Sequence, residues 1–244
     1  MCYHISNTKT EKQIENHFDA QFNVKSSFEP YFHFNGWENK NLAIIKQDDE
    51  TLIDLATWGV LPTFYDLSQR NQFLIKTNTL NATAERLYQS NLYSQFINWQ
   101  KCIIIADGFF EPHTTADGNK VPYFFKEKNH SLIAFAGIYS VIDDDPSTPI
   151  YSASIITKEA NGFFKEIHNK PNKQGSYRMP LILDPSNYWD WLHTSNENDI
   201  KTLLHTFTKQ EITAYPVSKN LFKNKVDSNK PYILEQEYQQ GGLF

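Results

Sequence analysis

The chain has 244 residues and a net charge of −5, from 23 lysines and arginines against 28 aspartates and glutamates. Hydrophobic residues make up 40% and aromatic residues 15%, which is enough for a sizeable core and excludes a disordered chain. Two cysteines exclude a disulfide-rich scaffold and a four-cysteine zinc site. The longest apolar stretch, Leu132 to Tyr139, is too short to cross a bilayer, and the polar first residues lack the apolar segment of a secretory signal. We therefore expect a soluble, cytoplasmic protein with no membrane partner.

The first predicted element is a helix over Ala84–Trp99, where large apolar residues recur at mostly helical spacing. Runs of branched and aromatic residues then predict strands over Ile103–Asp107, Val121–Phe125 and Leu132–Ile138. The turn sequence Asp117-Gly118-Asn119 precedes the second of these strands and favours antiparallel hairpins.

The second half continues with a predicted strand over Tyr151–Thr157, a predicted helix over Ala160–His168 and a short predicted strand over Leu181–Leu183. Asp184-Pro185 then has the residue types of a helix N-cap and first helical position, so a helix is predicted to begin there. Helices interrupt the strands irregularly, and no repeat or linker divides the chain. The pattern predicts an α+β fold in a single domain over residues 1–244, with a curved antiparallel sheet or open barrel-like core and peripheral helices.

The sequence lacks the motifs of several common enzyme classes. It contains no Gly-x-Gly-x-x-Gly, no P-loop, no His-Glu-x-x-His and no Gly-x-Ser-x-Gly. The eight histidines are scattered without the spacing of metal ligands. Nucleotide-fold enzymes, zinc proteases and α/β-hydrolases are therefore disfavoured, and we expect neither a metal nor a cofactor.

Cys2 follows the initiator methionine directly. If Met1 is removed, Cys2 carries both an α-amine, with a pKa of about 7.7–8.0, and a thiol, with a pKa of about 8.5. Such an aminothiol condenses with an aldehyde to an imine and then closes to a five-membered thiazolidine, or its thiolate attacks an acyl carbon. The simpler alternative is a frayed terminus that tolerates any residue. Cys102, in an apolar run, is predicted to be a buried core residue.

Further motifs follow Cys2 along the chain. In order they are Trp58-Gly59-Val60-Leu61-Pro62, Asn81-Ala82-Thr83-Ala84-Glu85, Cys102 to Glu111 with its Ala106-Asp107-Gly108-Phe109-Phe110-Glu111 end, Ile167-His168, Arg178-Met179-Pro180-Leu181-Ile182-Leu183 and Pro216-Val217-Ser218. Together with Cys2, this ordered set resembles the SRAP family, the SOS-response-associated peptidases or abasic-site processing proteins. The resemblance covers nearly the whole chain.

The resemblance implies a protein of the SRAP fold, expected to be monomeric, that binds single-stranded DNA and captures abasic sites near the nucleoid. It implies a thiazolidine cross-link between Cys2 and the ring-opened sugar, self-removal of Met1, and associated lyase chemistry. By position in the motifs, Cys2 matches the nucleophile and Asn81 the residue that orients Cys2 and the sugar. Glu111 matches the carboxylate that moves protons to the sugar oxygens, and its apolar surroundings predict a raised pKa. His168 matches the histidine that assists ring opening, a role suited to a group that titrates near pH 6.5.

Local charge supports a nucleic-acid partner despite the acidic total. Residues 151–180 hold five basic side chains against two acidic ones, and residues 201–230 hold six against two, which fits a basic groove on an acidic body. Trp58 and Pro62 are predicted to supply an apolar stacking surface for the strand. The full set of predicted DNA-binding residues is His4, Trp58, Pro62, Arg86, Lys170, Lys173 and Arg178.

The sequence departs from the family pattern at three places. Tyr3-His4 stands where many relatives have Gly-Arg, and Thr83 stands where the second motif has an arginine. A polar spacer, Asn169–Tyr177, separates His168 from Arg178 and is predicted to form a surface loop beside the DNA. Two alternatives stay open: an N-terminal-nucleophile amidohydrolase, and a non-catalytic single-strand binder in which Cys2 is incidental.

Overall fold

The computed structural model describes residues 2–24, 27–38, 40–143, 149–223 and 225–237, so Met1 lies outside the described residues. It has the predicted α+β character. The strands are β1 (His4–Asn7), β2 (Gln21–Phe22), β3 (Tyr31–Asn35), β4 (Asn41–Lys46), β5 (Asp49–Trp58), β6 (Asn81–Thr83), β7 (Lys101–Ala106), β8 (Gly108–Thr114), β9 (Lys120–Glu127), β10 (Ile133–Asp143), β11 (Ile150–Glu159), β12 (Arg178–Pro180) and β13 (Ile212–Pro216). The helices are α1 (Glu11–Phe18), α2 (Arg70–Thr77), α3 (Gly162–Ile167), α4 (Tyr188–His193) and α5 (Glu197–His205).

Five strands of the larger sheet pair in a ring. Strands β11, β10, β7, β4 and β5 follow one another as antiparallel neighbours, and β5 returns to β11 in a parallel pairing that sets Ala56 against Tyr151 and Trp58 against Ala153. Strand β6 also runs parallel to β11, with Asn81 opposite Ile155. The sheet is therefore a closed version of the open barrel that the sequence predicts, and it fixes Asn81 at its rim.

The smaller sheet has the order β13-β9-β8-β1-β3 and is antiparallel throughout. The chain passes from the ring into this sheet at Asp107, between β7 and β8. Asp107 accepts hydrogen bonds from the backbone N–H and the hydroxyl of Thr8, and its own N–H donates to Ser6 O at 2.9 Å. These contacts hold the end of β1 against the connection between β7 and β8. The N-terminus and Glu111 are thereby brought to the same side of the two sheets.

The main core packs between the ring, the smaller sheet and the helices, and a second core lies outside the smaller sheet. The second core contains Phe110, Phe124, Val217, Leu221 and Ile233. Adjacent residues of β8 enter different cores, since Phe109 belongs to the first and Phe110 to the second. The alternation of side chains along a strand explains this division.

Most predicted strands are confirmed, including the hairpin at Asp117-Gly118-Asn119, where Gly118 has a φ of +82° between β8 and β9. The helix predicted over Ala160–His168 is confirmed as the shorter α3. After Asp184, a 3₁₀ turn over Pro185–Asn187 precedes α4, and the Asp184 side chain accepts from Ser186 N as an N-cap. Cys102 is fully buried, as predicted.

The helix predicted over Ala84–Trp99 is wrong. The segment forms two 3₁₀ turns, Ala84–Arg86 and Tyr93–Gln95. The Ser90 hydroxyl accepts hydrogen bonds from the backbone N–H groups of two nearby residues, Leu92 and Tyr93, and so competes with helical pairing.

The strand predicted over Leu181–Leu183 is also wrong in position. The strand is Arg178–Pro180, and Ile182 makes a single bridge to Phe135. Leu181 donates to Ile156 O on β11 and accepts from Ala136 N on β10, so its hydrogen bonds alternate between two strands and form no continuous ladder. Helices α1, α2 and α5 were not predicted, although Thr10 and Gln13 form a capping box at the start of α1.

Candidate active site

Cys2 lies fully buried at the entrance to β1, which is held between β3 and β8. Asn81 Nδ2 donates to Cys2 O at 2.9 Å, and Cys2 Sγ lies 3.9 Å from His4 O. Burial, and next the negative charge of Glu111, raise the pKa of the Cys2 thiol well above its ordinary value. The structure therefore brings Cys2 and Asn81 together and holds the sulfur as a protonated thiol.

Glu111 and His168 form a buried pair beside Cys2. Glu111 is on β8, His168 follows the last residue of α3, and His168 Nδ1 lies 3.2 Å from Glu111 Oε2. Burial disfavours the charged form of each group: it raises the pKa of Glu111 to about 7 and lowers that of His168 to about 3. The raised pKa of Glu111 is as predicted, but titration of His168 near pH 6.5 is corrected, because a buried imidazole stays neutral there.

Two residues that the sequence reasoning missed hold His168 in place. His113 Nδ1 donates to Ile167 O at 2.8 Å. Asn169 pairs with the backbone of Thr114, accepting from its N–H and donating to its carbonyl, both at 2.8 Å. The end of α3 is thus fixed to β8, the strand that carries Glu111. The sequence feature that could have pointed to these residues is their closeness to the predicted site: Asn169 directly follows His168, and His113 lies two residues after Glu111.

A cleft of about 690 Å³ opens above this pair. Glu111 and His168 lie in its wall together with Tyr3 and His4, which follow Cys2 directly. Four lysines also line it, namely Lys120, Lys170, Lys219 and Lys223. The cleft therefore combines a buried proton-transfer pair with a cationic rim. Lys120 was missed by the sequence reasoning, and Lys219 and Lys223 were noticed only as part of a basic stretch.

Three of the predicted DNA-binding residues line this cleft: His4, Lys170 and Arg178. His4 is not the cation that would replace an arginine, because burial lowers its pKa to about 4 and its Nδ1 pairs with His33 Nε2 at 2.9 Å. Arg178 forms a two-pronged ion pair with Glu85, at 2.9 Å for each contact, and also donates to Thr157 O. Its guanidinium is thus largely occupied within the protein.

The other four predicted DNA-binding residues lie outside the cleft lining: Trp58, Pro62, Arg86 and Lys173. The stacking role of Trp58 is wrong, because its side chain is fully buried and its indole N–H donates to Leu80 O at 2.8 Å. Pro62 is half-buried, whereas Arg86 and Lys173 are exposed. DNA contact by these three residues stays a prediction.

Among the described residues, no group of three or more His, Cys, Asp or Glu side chains is arranged to hold a metal ion. Within the same part of the chain, none of the helices is both long and apolar enough to span a bilayer.

The fold is a ring of strands with an attached second sheet. A buried cysteine near the N-terminus lies beside a Glu–His pair on this fold, which is an arrangement typical of an enzyme with a cysteine nucleophile. A family model described as SOS response associated peptidase (SRAP) matches residues 1–224, so the chain belongs to the SRAP family.

Curated relatives carry the name abasic site processing protein. YoaM of Bacillus subtilis is 28% identical over 240 residues, which cover 97% of this chain and 99% of YoaM. HMCES of Gallus gallus is 25% identical over 206 residues, which cover 76% of this chain and 57% of that protein. A solved structure of a protein from Bacteroides thetaiotaomicron superposes with a TM-score of 0.80 at 26% identity, covering 97% of this chain and 100% of that one. A second, from Bordetella bronchiseptica, has a TM-score of 0.72 at 24% identity, covers 89% of this chain and 100% of that one, and shows the fold alone.

Proposed function

We propose that this protein captures abasic sites in single-stranded DNA by forming a covalent thiazolidine between Cys2 and the ring-opened sugar. The observation that carries the proposal is that Asn81 holds Cys2 within reach of the charge of Glu111, while Glu111 and His168 form a pair in the wall of one cationic cleft. A carboxyl and an imidazole, both biased toward their neutral forms, are suited to moving protons around an aldehyde at neutral pH. The names of the curated relatives support the lesion as substrate.

The bond changes balance without a cofactor. The Cys2 amine attacks the sugar C1′ aldehyde, and the resulting carbinolamine loses its hydroxyl as water to give an imine. Cys2 Sγ then adds to the same carbon and closes the five-membered ring, while its proton ends on the ring nitrogen. One aldehyde and one aminothiol thus become one thiazolidine and one water.

The buried pair supplies the proton transfers in this sequence. With a pKa raised to about 7 by burial, Glu111 holds a proton in a large fraction of molecules at neutral pH. As the ring opens, Glu111 gives this proton to the sugar O4′, and neutral His168 takes the proton that the C1′ hydroxyl loses. This second proton passes across the 3.2 Å to the Glu111 carboxylate, which then gives it to the departing hydroxyl. Asn81 holds the Cys2 carbonyl and so fixes where the amine stands.

Removal of Met1 is a necessary part of the proposal, because a peptide-bonded Cys2 has no free amine. We propose that the chain removes Met1 itself and that the same site supports slow lyase chemistry. Intact-mass measurement of protein made in bacteria should give the mass of the chain without Met1. A mass that includes Met1, in a preparation that still cross-links fully, contradicts this step.

The deciding experiment is the Cys2→Ala substitution, assayed with an abasic single strand on a denaturing gel. We expect the wild-type protein to give a slow-migrating covalent adduct and Cys2→Ala to give none. Cys102→Ala is the matched control, since Cys102 is also a buried cysteine but lies in β7, and it should keep the adduct. An adduct that survives Cys2→Ala contradicts the mechanism. Glutamine hydrolysis in the absence of DNA, with no adduct, would instead favour an amidohydrolase.

A further inference from the structure

One wall of the cleft is built by a short segment after β13. Residues Lys219–Phe222 form a 3₁₀ turn, and the Ser218 side chain caps it by accepting from Asn220 N. Lys219, Phe222 and Lys223 line the cleft, whereas Leu221 is buried in the second core. We call Lys219, Phe222 and Lys223, together with Lys120 on β9, the basic wall. The buried leucine anchors it, so two cations and an aromatic ring face the cleft from a fixed support.

The lysines of the basic wall carry charges that the described residues do not neutralise. Among the described residues, Lys120, Lys219 and Lys223 have no carboxylate within ion-pair distance, whereas Lys165 pairs with Glu159 and Arg178 with Glu85. The acidic side chain in the cleft lining, Glu111, is buried against His168. Like charges that converge on a concave surface repel one another, and a bound anion removes that repulsion.

Phe222 connects the basic wall to the reaction site. Its ring meets the His4 ring edge-on, with centroids 5.6 Å apart, and His4 lies two residues after Cys2. Phe222 is half-buried, so part of its ring faces the cleft. Proteins that bind single-stranded nucleic acids commonly combine cations with aromatic rings, because phosphates pair with the cations and a base or sugar packs on the ring.

We propose that the basic wall binds the phosphodiester backbone of the strand next to the lesion, with Phe222 against the adjacent base or sugar. The inference rests on the proposed function and extends it, because it assigns the phosphate contacts to residues outside the predicted DNA-binding set. It also explains how the cleft binds a polyanion although His4 is neutral and Arg178 is paired with Glu85.

The test is the salt dependence of non-covalent binding. In a Cys2→Ala background, which removes the covalent step, the double substitution Lys219→Gln/Lys223→Gln is titrated with a fluorescent undamaged oligothymidylate at several salt concentrations. Losing two phosphate contacts should reduce the slope of log K against log salt by about 1.4 and weaken binding about 25-fold at 0.1 M salt. Phe222→Leu should weaken binding while leaving the slope unchanged, because it removes no charge.

The matched control removes the same charge elsewhere. Lys12 on α1 and Lys76 on α2 are absent from the cleft lining, and Lys12→Gln/Lys76→Gln should leave the slope close to that of the parent. Thermal unfolding of each variant checks that the fold is kept. Equal slopes for the two double variants would overturn the proposal.

The outcome is separable from that of the proposed function. With Cys2 present, Lys219→Gln/Lys223→Gln should raise the DNA concentration that gives the half-maximal rate of adduct formation. If the wild-type protein forms no adduct but the slope still falls, the covalent proposal fails and the basic wall stands. If the adduct forms and the slope is unchanged, the basic wall alone is wrong.

Discussion

At the scale of single residues, the site depends on how burial acts on opposite types of group. The Glu111 carboxyl and the His168 imidazole both lose solvation in the same pocket, and each is driven toward its neutral form. The carboxyl keeps its proton in a large fraction of molecules near neutral pH, and the imidazole is neutral there, with a lone pair that takes up a proton only transiently. His168 Nδ1 lies 3.2 Å from Glu111 Oε2, which is close enough for a proton to pass between the two groups.

The first prediction concerns the pH dependence of adduct formation by the chain that lacks Met1. The rate should rise with pH as the Cys2 amine loses its proton and then fall above about pH 7 as Glu111 loses its own. Glu111→Gln should slow adduct formation at least about 100-fold and abolish the alkaline fall while keeping the acidic limb. Single-turnover gels between pH 5.5 and 8.5 measure both limbs. An alkaline fall that persists in Glu111→Gln would show that another group is the acid.

The second prediction concerns the effect of Glu111 on the stability of the protein at different pH values. The ordinary pKa of 4.5 is raised to about 7 in the folded state, so the cost of ionising Glu111 is absent below pH 4.5, grows between pH 4.5 and 7, and is constant above. The free energy of unfolding of Glu111→Gln minus that of wild type should therefore increase by about 3 kcal/mol from pH 4.5 to pH 8. Urea unfolding at the two pH values measures it. His168 titrates in both proteins, so its effect should largely cancel, and Glu235→Gln, the same substitution at an exposed position, is the control.

At the scale of elements, the connection between α3 and β8 determines where His168 stands. The helix has six residues and begins with Asn161, whose side chain accepts from Phe164 N. Such a short helix does not orient its end by itself, because most helical stability comes from tertiary packing. The hydrogen bonds from His113 and Asn169 supply that orientation.

The third prediction follows from this connection. Asn169→Ala removes both hydrogen bonds to Thr114 and should cost about 2 kcal/mol of stability. Because Asn169 acts through His168, the maximal rate of adduct formation should fall while the affinity for undamaged DNA changes little. Asn198→Ala, at an exposed position in α5, is the control and should change neither. Loss of affinity without loss of rate would place Asn169 in DNA binding instead.

The fourth prediction concerns the start of β8. A Cβ on Gly108 would lie 2.2 Å from Phe124 Cζ and 2.7 Å from the backbone carbonyl of Phe125. A backbone atom cannot move aside cheaply, so Gly108→Ala should destabilise the protein by about 3 kcal/mol or more. Gly162→Ala, at the first turn of α3, meets nothing within 4 Å and should be neutral or slightly stabilising. Denaturant midpoints of the two variants make the comparison, and equal midpoints would contradict it.

At the scale of the whole molecule, β8 links the two cores and the site. Phe109 packs in the main core, Phe110 in the second core, and Glu111 reaches the cleft from the same strand. Neither core loses its packing without moving β8. The single-domain organisation predicted from the sequence therefore has a direct thermodynamic consequence.

The fifth prediction is that the chain unfolds in one cooperative transition. Far-ultraviolet circular dichroism, which reports secondary structure, and tryptophan fluorescence, to which the main-core residues Trp58 and Trp191 contribute, should give coincident thermal curves. The calorimetric and van't Hoff enthalpies should agree. Two separated transitions would contradict the single-domain prediction.

Local patterns gave reliable predictions where a residue's environment depends on its neighbours in the chain. Strands β7, β10 and β11 of the ring and the Asp117-Gly118-Asn119 turn were predicted because branched apolar runs and turn residues act locally, whereas β4 and β5 of the same ring were not predicted. The helix predicted over Ala84–Trp99 failed because apolar spacing also fits two turns that bury Leu87 and Phe96. Trp58 looked like a stacking residue because an exposed and a buried tryptophan have the same sequence signal.

Residue types in a fixed order were enough to indicate the α+β class and the family, and the family resemblance supplied the four candidate catalytic positions, whose roles stay predictions. Which predicted cations are free became visible only in the folded chain. Arg178 is paired with Glu85, 93 positions away in the chain, and His4 is neutral through burial beside His33, while Lys219 and Lys223 reach the cleft from a distant segment. Charge pairing and burial depend on neighbours brought together by folding, so a residue's charge and accessibility cannot be read from its place in the sequence.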